Sequence, residues 1–142
     1  MRVLALDYGK ARCGCAVSDP TGVLATPLDE ILAPDSPRGM ARLRDLAAEL
    51  GAERVVVGLP LTLSGRDSAQ TVRTREFAAR LAAEVPLPVE LYDERLTTRL
   101  AERVGGRAGI DSRAAGHLLE SWLASQPGGD LGEGHDHEVA HD

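Results

Sequence analysis

Three acidic residues from distant parts of the chain, Asp7, Glu94 and Asp111, have the residue type that a metal site needs. Asp7 ends a short apolar run, Glu94 follows another, and Asp111 begins a segment with an apolar stripe. Carboxylates that meet repel one another unless a cation lies between them, and hard divalent cations such as Mg²⁺ or Mn²⁺ prefer oxygen ligands. We therefore interpret the three acids as candidate ligands for one or two such ions.

Each acid also has an ordinary structural interpretation. Asp7 could hydrogen-bond its own turn at the end of a strand, and Asp111 could be a helix N-cap, which is the commonest role of Asp before a helix. Glu94 could form a surface ion pair with Arg95 or Arg99. The pattern of residues alone leaves both interpretations open.

The elements that must position these acids follow the order β-β-β-α-β-α-β-α-α. They are a hairpin over residues 3–19, a strand over 22–31, a helix over 38–50, a strand over 53–60, a helix over 68–84, a strand over 87–91, a short helix ending near 104, and a last helix starting at 110. Pro27 predicts that the third strand lies at an edge, because proline cannot donate to a central ladder. The uniformly apolar residues 55–57 predict a buried parallel strand.

This order predicts an α/β fold with a five-stranded mixed sheet, in which three antiparallel strands precede two parallel ones and helices cover both faces. Right-handed crossovers place the parallel strands beside the first strand, so Asp7 lies at the centre of the sheet. Ligands of open sheets bind at the carboxyl edge, which Glu94 also reaches. Asp111 shares a helical stripe with Ala115 and Leu118 that must pack on the sheet. This order of elements therefore allows all three acids to converge.

Composition restricts the class of protein. A chain of 142 residues, of which 43% are hydrophobic, predicts one domain over residues 1–127 followed by a disordered, acidic and histidine-containing tail over 128–142. No apolar run is long enough to span a membrane and no signal peptide is recognisable, so we expect a cytoplasmic protein without a membrane partner. Cys13 and Cys15 are expected to be small buried residues, because a disulfide across that spacing would be strained.

The charge of the chain does not exclude nucleic acid as a partner. The formal net charge is −6, but five of the acids lie in residues 130–142, and without them 17 acids face 16 basic residues. All but one of the basic residues are arginines, which favour forked contacts with phosphate. The candidates for nucleic-acid contact are Gly9, Lys10, Arg12, Arg66, Arg73, Arg95, Arg99 and Arg107. These arginines could equally be solvated helix faces paired with neighbouring acids such as Glu76 and Glu102.

Six motifs, taken together and in order, resemble the YqgF/RuvX family. They are Asp7-Tyr-Gly9, Arg12-Cys-Gly14, Ala16-Val-Ser-Asp19, Val57-Gly-Leu-Pro60, Asp93-Glu-Arg-Leu-Thr-Thr98, and Asp111 with Ala114-Ala115, within residues 1–125. This is an RNase H-like group named for Holliday junction resolution and assigned to maturation of the 5′ end of 16S ribosomal RNA. The resemblance implies an RNase H-like sheet and a divalent-metal nuclease site in which Asp7, Glu94 and Asp111 are the catalytic acids.

The chain departs from the family pattern at two places. Cys13 and Cys15 stand where larger aliphatic residues are usual, and Ala11 stands where a lysine beside Arg12 is usual. The resemblance implies a metal-dependent nuclease that processes structured or precursor RNA. The sequence leaves the oligomeric state open between a monomer and a homodimer. The alternatives are a Holliday junction resolvase acting on branched DNA, a non-catalytic nucleic-acid-binding protein, and an actin-like nucleotide-binding protein, although 142 residues leave no second lobe for the last.

Overall fold

In the computed structural model of the chain, the backbone is described for residues 1–97 and 110–127, and the side chains for 1–97 and 112–127. Several predicted features lie outside these residues. They are the short helix expected to end near residue 104, the glycine-rich connector predicted over residues 105–109, Arg99, Arg107 and the tail over 128–142. The side chain of Asp111 also lies outside the described part.

The strands form one five-stranded mixed sheet, as predicted. Their bounds are β1 (Val3–Asp7), β2 (Arg12–Ser18), β3 (Ala25–Leu32), β4 (Arg54–Leu59) and β5 (Val89–Asp93). The order across the sheet is β3-β2-β1-β4-β5, with β1 antiparallel to β2 and parallel to β4. The prediction that Asp7 ends the central strand and that Pro27 lies on an edge strand is therefore confirmed.

Three helices are described, with bounds close to the predicted ones: α1 (Pro37–Leu50), α2 (Ala69–Glu84) and α3 (Ile110–Ser125). Ser36 caps α1 by accepting a hydrogen bond from the Gly39 N–H at 2.9 Å. Ser68 and Thr71 cap α2 reciprocally, which satisfies two backbone donors at its start. None of the described helices is long and apolar enough to cross a membrane.

Apolar residues pack on both faces of the sheet, because successive side chains of a strand point to opposite sides. Even-numbered β1 residues such as Leu4 and Leu6 belong to the core under α1 and α2. Odd-numbered β1 residues such as Val3 and Ala5 belong to the core under α3. Strand alternation therefore places Asp7 on the α3 side of the sheet.

The two cysteines have the buried positions that were predicted for them. Cys13 and Cys15 are both fully buried and carry free thiols in the core under α1 and α2. They fill space in β2 beside the central strand.

Candidate functional site

The side chains of Asp7 and Glu94 are hydrogen-bonded to each other at the carboxyl edge of the sheet. Asp7 is the last residue of β1 at the centre, whereas Glu94 immediately follows β5 at the edge, with β4 between them. Glu94 is also the first residue of a 3₁₀ turn over Glu94–Leu96, which Asp93 caps. The fold thus brings two of the three predicted acids into contact.

The environment of Glu94 disfavours its charged form. Burial raises the pKa of Glu94 above its usual value, the hydrogen bond with Asp7 offsets part of that rise, and the negative charge of Asp93 adds to it. Two carboxyl groups in contact need either a shared proton or a cation between them. Their oxygen atoms are the ligands that hard divalent cations prefer, so the side chains present fit such an ion.

The third acid, Asp111, is the second residue of α3. The next residue, Ser112, is fully buried, and its hydroxyl accepts a hydrogen bond from the Cys15 N–H at 3.2 Å. Cys15 follows Gly14, which is the β2 partner of Asp7. The start of α3 is therefore anchored one residue from the strand partner of Asp7.

Asp7 and Glu94 are two acids, and a compact metal site normally needs a third ligand. Among the side chains that the structure describes, no group of three His, Cys, Asp or Glu residues is placed to hold a metal ion. The Asp111 side chain is not among those residues, so its predicted place as third ligand stays a prediction.

Arg95 is held by Asp93 and not by Glu94. Its Nη2 donates to Asp93 Oδ2 at 2.7 Å and its Nε lies 3.1 Å from both carboxylate oxygens. This contact keeps the pKa of Asp93 below its usual value. Arg95 Nη1 also donates to the carbonyl of Leu63 at 3.3 Å, so its guanidinium ties the β4–α2 loop to the end of β5. The alternative interpretation, in which Glu94 forms a surface ion pair with Arg95, is therefore wrong.

Tyr8, the residue after Asp7, is fixed on the opposite side of the sheet. Its ring stacks on Phe77 with centroids 4.5 Å apart, and its hydroxyl donates to Asp35. Burial and the Asp35 contact raise the pKa of Tyr8 to about 12. Arg80 also donates to Asp35, at 3.3 Å, which completes a three-residue network behind the candidate site. Sequence patterns missed this network because its members are far apart in the chain.

The predicted nucleic-acid contacts fall into two groups. Lys10 and Arg66 are exposed in the loops that follow β1 and β4, at the carboxyl edge, and neither has an ion-pair partner among residues 1–97 and 112–127. Arg12, by contrast, lies 3.4 Å from Glu30, and Arg73 donates to the Gln70 amide oxygen at 3.3 Å. Of the predicted contact residues, Lys10 and Arg66 are therefore exposed cations at the carboxyl edge without an ion-pair partner in the described part of the chain.

Gly9 lies close to the backbone on the other side of its turn. A Cβ atom at Gly9 would lie 2.8 Å from the carbonyl oxygen of Arg12, across the β1–β2 turn. The absence of a side chain therefore lets the turn close on itself, which explains a glycine here, and contact of Gly9 with nucleic acid stays a prediction.

Comparisons with known proteins identify relatives over most of the chain. A family model described as RuvX, Holliday junction resolvase, matches residues 1–125. A Koribacter versatilis protein named "Putative pre-16S rRNA nuclease" is 48% identical over 119 residues, which cover 84% of this chain and 78% of that protein. A protein of the same name from Mycolicibacterium paratuberculosis is 43% identical over 132 residues, covering 86% of this chain and 79% of that protein.

Solved structures share the fold. The RuvC protein of Thermus thermophilus, in complex with a Holliday junction substrate, superimposes with a TM-score of 0.58 at 16% identity, covering 85% of this chain and 92% of that one. A second RuvC structure from Thermus thermophilus gives the same TM-score at 17% identity. Because the identity is this low, the likeness concerns the fold alone, and it confirms the RNase H-like architecture that was predicted.

Proposed function

Because this chain belongs to the RuvX (YqgF) family, we propose that it is a divalent-metal-dependent nuclease that acts in maturation of the 5′ end of pre-16S ribosomal RNA. The observation that carries this proposal is the contact between Asp7 and Glu94 at the carboxyl edge of the sheet. The relatives named for pre-16S ribosomal RNA support the choice of substrate.

Mg²⁺ or Mn²⁺, as one or two ions, would be held by Asp7 and Glu94, with Asp111 as the third ligand. When bound between such carboxylates, a divalent ion lowers the pKa of water and neutralises charge that develops on a phosphate. Asp7 supplies a rigid ligand, because it ends the central strand and the Tyr8 network fixes the residue after it. Glu94 supplies a partly buried ligand whose charge the ion would stabilise.

The phosphate backbone of the substrate would lie between the two loops that carry Lys10 and Arg66. Both loops follow strands whose carboxyl ends form the edge where Asp7 lies. Contacts of this kind position a nucleic acid without reading its sequence. Arg99 and Arg107 are proposed to extend this surface on the segment that precedes α3.

Single-turnover cleavage assays on precursor 16S ribosomal RNA, with and without Mn²⁺, test the proposal. We expect Mn²⁺-dependent cleavage by the wild type and none by Asp7→Asn. Asp29→Asn, which removes an exposed acid from the edge strand β3, is the matched control and should cleave as the wild type does. Binding of the RNA without cleavage in any metal would instead identify a non-catalytic nucleic-acid-binding protein.

A Holliday junction resolvase is the second candidate, because the family model carries that description. Paired, symmetric cuts in a four-way DNA junction require two active sites related by a two-fold axis, and hence a homodimer. The same assay on a four-way junction separates the two functions. Cleavage of the junction in preference to the precursor RNA would favour the resolvase.

A further inference from the structure

We propose that Gly58 is a positioning residue, whose missing side chain leaves the space through which Glu94 reaches Asp7 across β4. This inference rests on the proposed function, because Gly58 positions a metal ligand only if Glu94 is one. The space at Gly58 that Glu94 occupies does not depend on catalysis. Gly58 belongs to the Val57-Gly-Leu-Pro60 motif, to which the fold and the metal ligands assign no other role.

The sheet order requires the Glu94 side chain to cross a strand. β4 lies between β1 and β5, so the backbones that carry Asp7 and Glu94 are two strand spacings apart, or about 10 Å. Leu6 is paired with Val57 and Gly58 is paired with Tyr92. Gly58 therefore lies in β4 at the height of the sheet where β1 and β5 end, between those two strand ends.

Gly58 also faces the correct side of the sheet. Val56, two residues earlier in β4, packs in the core under α3 together with Val3 and Ala5. Strand alternation gives Gly58 the same side as Val56, and Asp7 the same side as Ala5. A side chain at position 58 would thus project into the path between the two acids.

The distances show that this path is already filled by Glu94. A Cβ atom at Gly58 would lie 2.6 Å from Glu94 Oε2, 3.0 Å from its Cγ and 3.2 Å from its Cδ. These three atoms belong to the end of a flexible side chain, so an added methyl group would displace the carboxylate at little cost to the fold. What is displaced is the group that contacts Asp7.

The backbone gives no other reason for a glycine here. Among the described residues, the glycines with positive φ are Gly22, Gly51 and Gly65, whereas Gly58 lies inside β4 with ordinary strand geometry. Glycine weakens a strand interior and is found there where something approaches closely. At Gly58 the group that approaches is the Glu94 carboxylate.

The test compares Gly58→Ala, Glu94→Ala and the double variant with the wild type. A crystal structure of Gly58→Ala is expected to show the Glu94 carboxylate moved out of hydrogen-bonding distance of Asp7. By calorimetric titration with Mn²⁺, Gly58→Ala should bind at least about tenfold more weakly than the wild type, as residues that orient metal ligands do. In the Glu94→Ala background the same substitution should leave Mn²⁺ affinity unchanged.

Thermal unfolding of the four metal-free proteins supplies a measure that does not depend on activity. The melting temperature change caused by Gly58→Ala should differ between the wild-type and Glu94→Ala backgrounds by about 2 °C or more, because a side chain has to move only where Glu94 is present. The inference is overturned if Glu94 still contacts Asp7 in Gly58→Ala, or if the substitution acts equally in both backgrounds. If the wild type neither binds Mn²⁺ nor cleaves RNA, the proposed nuclease function fails, and the crystal structure and melting data still decide the role of Gly58.

Discussion

The hydrogen bond between Asp7 and Glu94 joins the end of the central strand to the residue that follows the edge strand. Two acids held this close destabilise the folded chain when both are ionised and no cation is present. In the metal-free chain the pair shares a proton through this hydrogen bond, and a cation that binds there would displace that proton. This relationship leads to direct tests of the site that do not require the natural substrate.

Mn²⁺ should raise the thermal stability of the wild type and not that of Asp7→Asn. A ligand that binds only the folded state stabilises it by about 2.7 kcal/mol at 100 times its dissociation constant. Asp7→Asn keeps the size of the side chain while it removes a charged ligand, so this gain should be lost. Differential scanning calorimetry over a range of Mn²⁺ concentrations measures the effect.

Asp29→Asn provides the control for this measurement, because Asp29 is an exposed acid on β3, two strands from the site. It should show the same Mn²⁺-dependent rise as the wild type. An equal rise in Asp7→Asn would show that Mn²⁺ binds elsewhere on the chain.

Without metal, Glu94→Gln should be more stable than the wild type at neutral pH. The pKa of Glu94 is raised in the folded state, so the folded chain binds a proton more tightly than the unfolded chain. The resulting penalty on the wild type is absent below the ordinary pKa of 4.5, develops as pH rises above it, and is complete above the raised folded-state pKa. Melting temperatures of the two proteins should therefore converge as pH falls towards 4.5 and separate towards pH 7.

Asp19→Asn should show the opposite pH dependence and serves as the comparison. Asp19 accepts hydrogen bonds from the N–H groups of Val23 and Leu24 and from the Thr21 hydroxyl, which hold its pKa well below its usual value. Its contribution to stability is present above the ordinary pKa of 3.8 and is lost as pH falls towards the folded-state value. If Glu94→Gln followed the same trend as Asp19→Asn, the assigned environment of Glu94 would be incorrect.

Arg66→Ala should weaken RNA binding in a manner that depends on salt. Each phosphate contact that is lost lowers the slope of log affinity against log salt concentration by about 1. Fluorescence anisotropy with a short RNA, measured between about 50 and 200 mM salt, gives this slope. Arg44→Ala is the matched control, because Arg44 pairs with Glu84 at the end of α2 that leads into β5, away from the carboxyl edge. Equal slopes for Arg66→Ala and the wild type would show that Arg66 does not contact the RNA phosphates.

The fold and the meeting of Asp7 with Glu94 were predictable because both follow from periodic signals. Hydrophobic patterns gave the element order, and the handedness of crossovers then put β1 at the centre of the sheet. The pairing of Arg95 with Asp93 was not predictable, since Glu94 is its immediate neighbour in the chain and equally acidic. The structure decides between them, since Asp93 caps the 3₁₀ turn and accepts the Arg95 N–H, whereas Glu94 is hydrogen-bonded to Asp7.

The role of Gly58 was hidden for a similar reason. A glycine inside an apolar strand signals that something lies close to the backbone, but not which group or from which direction. That group is Glu94, which follows β5, and all of α2 lies between β4 and β5 in the chain. The Tyr8 contact with Asp35 likewise links β1 to the loop before α1, and only the packed structure brings them together.

Tyr8→Phe should lower the free energy of unfolding by about 1 kcal/mol, the usual net value of a partly buried hydrogen bond. The substitution keeps the stacking on Phe77 and removes only the hydroxyl that donates to Asp35. Urea unfolding should show a lower midpoint with an unchanged slope. Because the ring still fixes the end of β1, Mn²⁺-dependent cleavage should stay within about tenfold of the wild type, as expected for a supporting residue. In an Asp35→Ala background the same substitution should cost much less, and an equal cost in both backgrounds would show that the hydroxyl acts through another partner.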